Sequence, residues 1–218
     1  MSDNEQVGSS FSLDKMNFSR KKAWEAVNDI ATSITPGMTE NQALTCAENV
    51  LNKMKIDRIW HPTKIRFGSN TVKSFNELSD SEITLGDDDI YFIDIGPVWS
   101  GHEGDAGSTF TTGDDKIMNA CKRDVKIIFD VVSEKWRTQH FSGQSLYDFA
   151  AAESKKLGWN FNLNMKGHRI GDFPHAIYKA PKLADYDNRP SSGLWVLEIQ
   201  ISHPTLKIGA FYEDILIQ

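Results

Sequence analysis

From Phe18 onward, apolar residues recur at three- and four-residue spacing. Ala23, Val27, Ile30, Ala31 and Ile34 fall on one face of a predicted helix, which Pro36-Gly37 ends. Thr39, followed by Glu40 and Asn41, opens a second helix with Ala43, Leu44, Ala47, Val50, Leu51 and Met54 on its apolar side. Residues 56–78 are mixed and strand-like, and include Trp60-His61-Pro62 and the run Lys64–Gly68. Gly86-Asp87-Asp88-Asp89 then turns the chain into a strand-like apolar run at Ile90, with Asp94 inside it. Side chains alternate faces along a strand, so Asp94 shares a face with Phe92 while Ile93 and Ile95 take the other. Gly96-Pro97 and Ser100-Gly101 are turn signals, and a hairpin over Tyr91–Phe110 would bring Asp94 close to Asp105. A solvated surface hairpin with acids at its ends fits this stretch as well as a functional pair does.

The plan then recurs. Met118–Trp136 is a helical stretch with Ile117, Cys121, Val125, Ile128, Val131 and Val132 as its apolar set. Ser142-Gly143 follows, and then the amphipathic stretch Leu146–Leu157. Two further apolar strands each carry an acid: Leu194–Ile199 holds Glu198, and Phe211–Ile217 holds Glu213. Gly37 to Gly143 is an offset of 106 residues, Asp94 to Glu198 is 104, and Asp105 to Glu213 is 108. The economical architecture is a pseudo-twofold α+β domain over 18–218, with four acids meeting at its centre. Residues 1–17 read as a disordered tail.

Composition narrows the function. A net charge of −6 with no basic cluster argues against a nucleic-acid or anionic-membrane surface. No apolar run is long enough to span a bilayer. The polar opening MSDNEQVGSS lacks the apolar core of a secretory signal. Cys46 and Cys121 have no CxxC pairing and read as reduced thiols, so a cytoplasmic protein is expected.

Gly167-His168-Arg169-Ile170-Gly171 and His175 add two imidazoles to the acids. A lone histidine is more often structural than a ligand. Four buried carboxylates beside it change that balance, because close acids repel unless they share protons or hold cations. Two divalent ions would balance four carboxylates, and oxygen-rich ligation with one nitrogen suits Mn, Co, Fe or Zn. Two such ions can hold a bridging hydroxide and polarise a carbonyl. The residues thus point to a metal-assisted hydrolase.

The set resembles the methionine aminopeptidase / aminopeptidase P (M24) superfamily of pita-bread metallopeptidases. In that pattern an Asp is followed eleven residues later by a second Asp in a GD-type hairpin. A GHxIG histidine and two strand glutamates come after. Here these are Asp94, Asp105, His168, Glu198 and Glu213. Thr35-Pro36-Gly37-Met38-Thr39 resembles the family's helix-connecting turn, and Leu85–Asp89 the turn before the first aspartate strand. The resemblance implies a curved central antiparallel sheet flanked by helices in two related halves. It implies Asp94 on one ion, His168 and Glu198 on the other, and Asp105 and Glu213 bridging both. Glu198 and His175 would be catalytic, with His175 acting on the substrate.

Three departures stand out. Glu198 and Glu213 are only fifteen residues apart, which trims one side of the pocket. The histidine that methionine-type members carry just before the first aspartate strand has no counterpart in 72–93, and His61 is the nearest substitute. The N-terminal domain of creatinase-type members is not seen, which weakens an Xaa-Pro assignment. His102, in the hairpin loop, is a second candidate for the substrate pocket, although a solvated loop residue is the simpler reading. His203-Pro204 reads as a turn, and Arg66 and Arg169 as salt-bridge partners or substrate-carboxylate ligands. The expected activity is an aminopeptidase acting on a peptide or small amide through a metal-bridging hydroxide, as a monomer or dimer. A creatinase-like C–N hydrolase and a non-catalytic binding module are the competing readings.

Overall fold

The computed structural model describes residues 3–175 and 179–218. Helix α1 (Leu13–Ser33) starts on Ser12, whose hydroxyl accepts from Lys15 N, and helix α2 (Glu40–Lys53) starts on a reciprocal capping box between Thr39 and Gln42. Strands β1 (Arg58–Phe67), β2 (Asp89–Trp99), β3 (His102–Glu103) and β4 (Ala106–Thr112) complete the first half. Helices α3 (Lys116–Gln139) and α4 (Gly143–Lys156) follow, then β5 (Asn160–Phe161), β6 (His168–Arg169), β7 (Trp195–Ser202) and β8 (Gly209–Ile215).

The eight strands form one antiparallel sheet in the order β1-β2-β4-β8-β7-β5, with β3 added to β2 and β6 to β7. The halves meet where β4 pairs with β8 at Gly107 and Glu213. Helices α1 and α2 pack Ala23, Val27, Ile30, Ala43 and Ala47 against Ile93 and Ile95 of β2. Helices α3 and α4 pack Val125, Ile128, Val132 and Leu146 against Leu197, Ile199 and Tyr212 of β7 and β8. Each buried Val, Ile or Leu is worth roughly 1.5–3 kcal/mol, so the helix layer fixes one face of the sheet. The opposite face carries the acids. This is the two-half, helix-flanked architecture expected from the repeat.

The N-terminal segment differs from the expected tail. From Asp3 on it runs as a packed strap with a short 3-10 turn, and α1 begins five residues before Phe18. Glu5 is buried, accepting from Ser191 N, Ser191 Oγ and Trp195 Nε1. Arg169 donates to the carbonyls of Asn4 and Gln6, and Asp172 accepts from the amides of Gly8 and Ser10. A polar composition suggested disorder, but these polar groups are spent on internal partners. Cys121 is buried and Cys46 half-buried, both as free thiols. Among the described residues, no helix is long and apolar enough to cross a membrane.

Candidate metal centre

The sheet register lines the acids up. Asp94 stands opposite Gly107, Gly107 opposite Glu213, and Glu213 opposite Glu198, a single row across β2, β4, β8 and β7. Asp105 lies two residues before Gly107, just ahead of β4. Gly107 leaves the space that its neighbours occupy, since a Cβ there would lie 2.9 Å from Glu213 Oε1. Like charges directly opposite on paired strands are destabilising. Asp94, Asp105 and Glu213 are nevertheless buried, and Glu198 is half-buried.

Two histidines close on this row. His168 Nε2 lies 3.3 Å from Asp105 Oδ2 and 3.9 Å from Glu198 Oε1. His61 Nε2 lies 3.2 Å from Asp105 Oδ1 and 3.7 Å from Asp94 Oδ1. His175 stacks on His168 at a ring separation of 3.9 Å, with Nδ1 3.7 Å from Asp105 Oδ2. The site therefore gathers Asp94, Asp105, His168, His175, Glu198, Glu213 and His61. His102 is placed elsewhere. It is fully buried on β3, its Nε2 accepts from Ser12 N at the start of α1, and its Nδ1 donates to the Ser100 carbonyl. The glycines around His102 look like a solvated loop, but its ring anchors the strap instead.

Charge in the cluster is uneven. Burial pushes the Glu213 carboxyl well above its usual range, and Asp105 and Asp94 add to this. Burial likewise raises Asp94 to about 6, against the pull of His61. Burial also acts on Asp105, but His61 and His168 outweigh it and hold that carboxyl well below the ordinary value. On His61 burial opposes charge, and Asp105 and Asp94 overcome it, raising the imidazole to about 10. Asp105 Oδ2 and Glu213 Oε1 are buried without a hydrogen-bond donor. Orphaned carboxylate oxygens beside clustered acids suit a cation. Three ligand atoms lie within 4.8 Å of one another in the set His61, Asp94, Asp105, and again in the set His168, Glu198, Glu213.

The cluster opens into a cavity of about 380 Å³ whose walls include Phe75, Asn76, Asn164, Met165, Lys166 and Lys182. Lys64 holds its ammonium over the Phe75 ring. Arg66 and Arg169 are not among the residues that line this cavity. Arg66 donates to Ser79 Oγ and to the carbonyls of Ser74, Phe75 and Glu77, clamping the loop that bears Phe75. His203 is a turn residue, its Nδ1 accepting from the amides of Thr205 and Leu206.

One site residue escaped the sequence reading. Glu103 is fully buried, its Oε1 is 2.9 Å from His175 Nδ1, and its Oε2 accepts from His175 N. The signal was available: in the extended run His102–Asp105, residues 103 and 105 share a face.

A curved antiparallel sheet in two halves, helices on one face and a carboxylate–imidazole cluster on the other, defines a pita-bread protein. The chain belongs to metallopeptidase family M24, whose model matches residues 14–217. No protein of curated function matches the sequence. Among solved structures, the prolidase from Pyrococcus furiosus is similar with a TM-score of 0.77 at 19% identity, over 99% of this chain and 63% of its own. The Xaa-Pro dipeptidase from Bacillus anthracis gives 0.77 at 19%, over 99% and 60%. A methionine aminopeptidase from Thermotoga maritima gives 0.75 at 17%, over 98% and 95%. The chain thus spans about three fifths of the prolidase and dipeptidase chains and nearly all of the methionine aminopeptidase.

Proposed function

We propose that the protein is an aminopeptidase that depends on two divalent ions and removes the N-terminal residue of short peptides. The observation that carries this reading is the row Asp94–Gly107–Glu213–Glu198, with Asp105 and His168 beside it. Asp94 would bind one ion, His168 and Glu198 the other, and Asp105 and Glu213 both. Bound there, the ions would polarise the scissile carbonyl and acidify the attacking water.

The remaining steps fall to side chains. Glu198 Oε2 is tied to Gly167 N at 2.6 Å, and Oε1 is the oxygen that faces His168. Glu198 suits both ligation and acceptance of the nucleophile's proton. His175 stands on the wall of the cavity, held by Glu103, where it can hydrogen-bond the substrate carbonyl or donate to the leaving amine. Phe75 and Met165 supply an apolar wall, while Asn76, Asn164, Lys166 and Lys182 make the rest of the rim polar.

The test is kcat/KM on Met-, Ala- and Leu-first peptides, an Xaa-Pro peptide and aminoacyl amides, using Mn- and Co-loaded protein. Hydrolysis with only a weak Met preference is expected, because 72–93, where methionine-type members carry a histidine, holds none and the Glu198–Glu213 connection is short. A Met preference above about 100-fold, or about 2.7 kcal/mol of transition-state binding, would instead make it a methionine aminopeptidase. Metal-loaded protein inert on every peptide and amide would overturn the aminopeptidase reading.

A further inference from the structure

We propose that His61 is a sixth metal ligand, so that each of the two ions carries one imidazole. The inference rests on the dinuclear reading above and adds a ligand on a strand that the five-residue pattern does not reach. His61 Nδ1 lies 3.1 Å from the Pro62 carbonyl oxygen. A carbonyl only accepts, so Nδ1 carries the hydrogen, and in the neutral ring Nε2 presents a lone pair. That lone pair faces Asp105 Oδ1 at 3.2 Å and Asp94 Oδ1 at 3.7 Å. Three acceptor atoms therefore converge. Donors about 2.1 Å from one ion stand about 3.0 Å apart at a right angle and about 3.4 Å apart at a tetrahedral one. The 3.2 Å separation falls in that range, the 3.7 Å one lies slightly above it, and the ligand atoms of all three residues lie within 4.8 Å of one another.

His168 is built the same way. Its Nδ1 donates to the carbonyl of the following residue, Arg169, at 2.9 Å, and its Nε2 faces the other oxygen of Asp105 at 3.3 Å. Each imidazole is thus oriented by the next carbonyl in the chain, the kind of outer contact that fixes a ligating tautomer. The strand register differs between the two, with His61 opposite Gly96 and His168 opposite Val196, so the likeness is one of chemistry and not of strict repeat.

The backbone around His61 is also shaped for this ring. The β1–β2 ladder shifts register on both sides of His61, and such irregularities re-aim a side chain. Gly96, directly across, leaves the notch the ring occupies: a Cβ there would sit 1.9 Å from His61 Cδ2. A histidine that served only as packing would not need its nitrogen pointed at two carboxylates from such a notch.

A competing state fits the same distances: a protonated His61 that itself replaces one ion. The two differ in stoichiometry and in imidazole count. For the whole chain, Co-loaded and wild-type, elemental analysis should give two Co per chain and X-ray absorption one imidazole per Co. His61→Gln, checked for folding by circular dichroism, should bind one Co with wild-type affinity and the second at least ~10-fold more weakly. His175→Ala should leave the imidazole count unchanged. A value of one imidazole per two Co, or His61→Gln retaining two equally tight ions, overturns the inference and leaves the dinuclear site standing. A halved count in His175→Ala would assign the second imidazole to His175 and also overturn it. No Co bound to the wild type overturns both readings.

Discussion

Glu103 and His175 form a carboxylate–imidazole pair at the edge of the acid row, and neither belongs to the five-residue ligand pattern. Replacing His175 with Ala should leave metal content intact and lower turnover by roughly 10²-fold, as read by elemental analysis beside steady-state kinetics. Loss of an ion in that variant would mean that the two histidines of the 168–175 segment are wrongly assigned. Glu103→Gln keeps an acceptor oxygen for the His175 amide but removes the charge, so a smaller fall in kcat with KM little changed is expected. At this scale the sequence was legible where alternation rules apply. Phe92 and Asp94 do share a face, with Ile93 and Ile95 in the helix-facing core. His61 could not be placed that way. It lies thirty-three residues before Asp94, and its aim depends on two register shifts that no periodicity encodes. His102 is buried rather than solvated: flanking glycines signal a loop but do not say what a ring in that loop touches.

The N-terminal strap ties two site-bearing elements together, through Arg169 and Asp172 to the segment carrying His168 and His175, and through Glu5 to β7. Burial works against the charge of Glu5, but hydrogen bonds from Ser191 and Trp195 outweigh it and lower its pKa below 4.5. A depressed folded-state pKa gives stability that is present above the unfolded value and fades as pH falls through the folded one. Glu5→Gln should therefore cost about 1–3 kcal/mol at pH 7, with the gap to wild type narrowing below about pH 4.5. Urea titrations at pH 7 and pH 3.5 would check this, and a gap that widens in acid would contradict it. The long helices were readable from apolar spacing, and the capping box of α2 from Thr39. The start of α1 was not, because Leu13–Asn17 carries one buried residue, Met16, among exposed ones. Strands β3, β5 and β6 are two residues each, too short for any period to appear.

Over the whole molecule, each half delivers a hairpin whose acids meet where β4 pairs with β8. The offset of 104–108 residues between the halves foreshadowed this, although sequence spacing could not show that Gly107 would complete the row. Since Asp105 and Glu213 are assigned to both ions, Asp105→Asn or Glu213→Gln should lose more metal than Asp94→Asn. On the proposed reading, four carboxylates are tolerable at the heart of the sheet because they hold two cations. Elemental analysis of the purified chain, before and after reconstitution with Mn or Co, tests it most directly. About two divalent ions per chain are expected. A chain that stays folded yet binds no transition metal after reconstitution would contradict that reading.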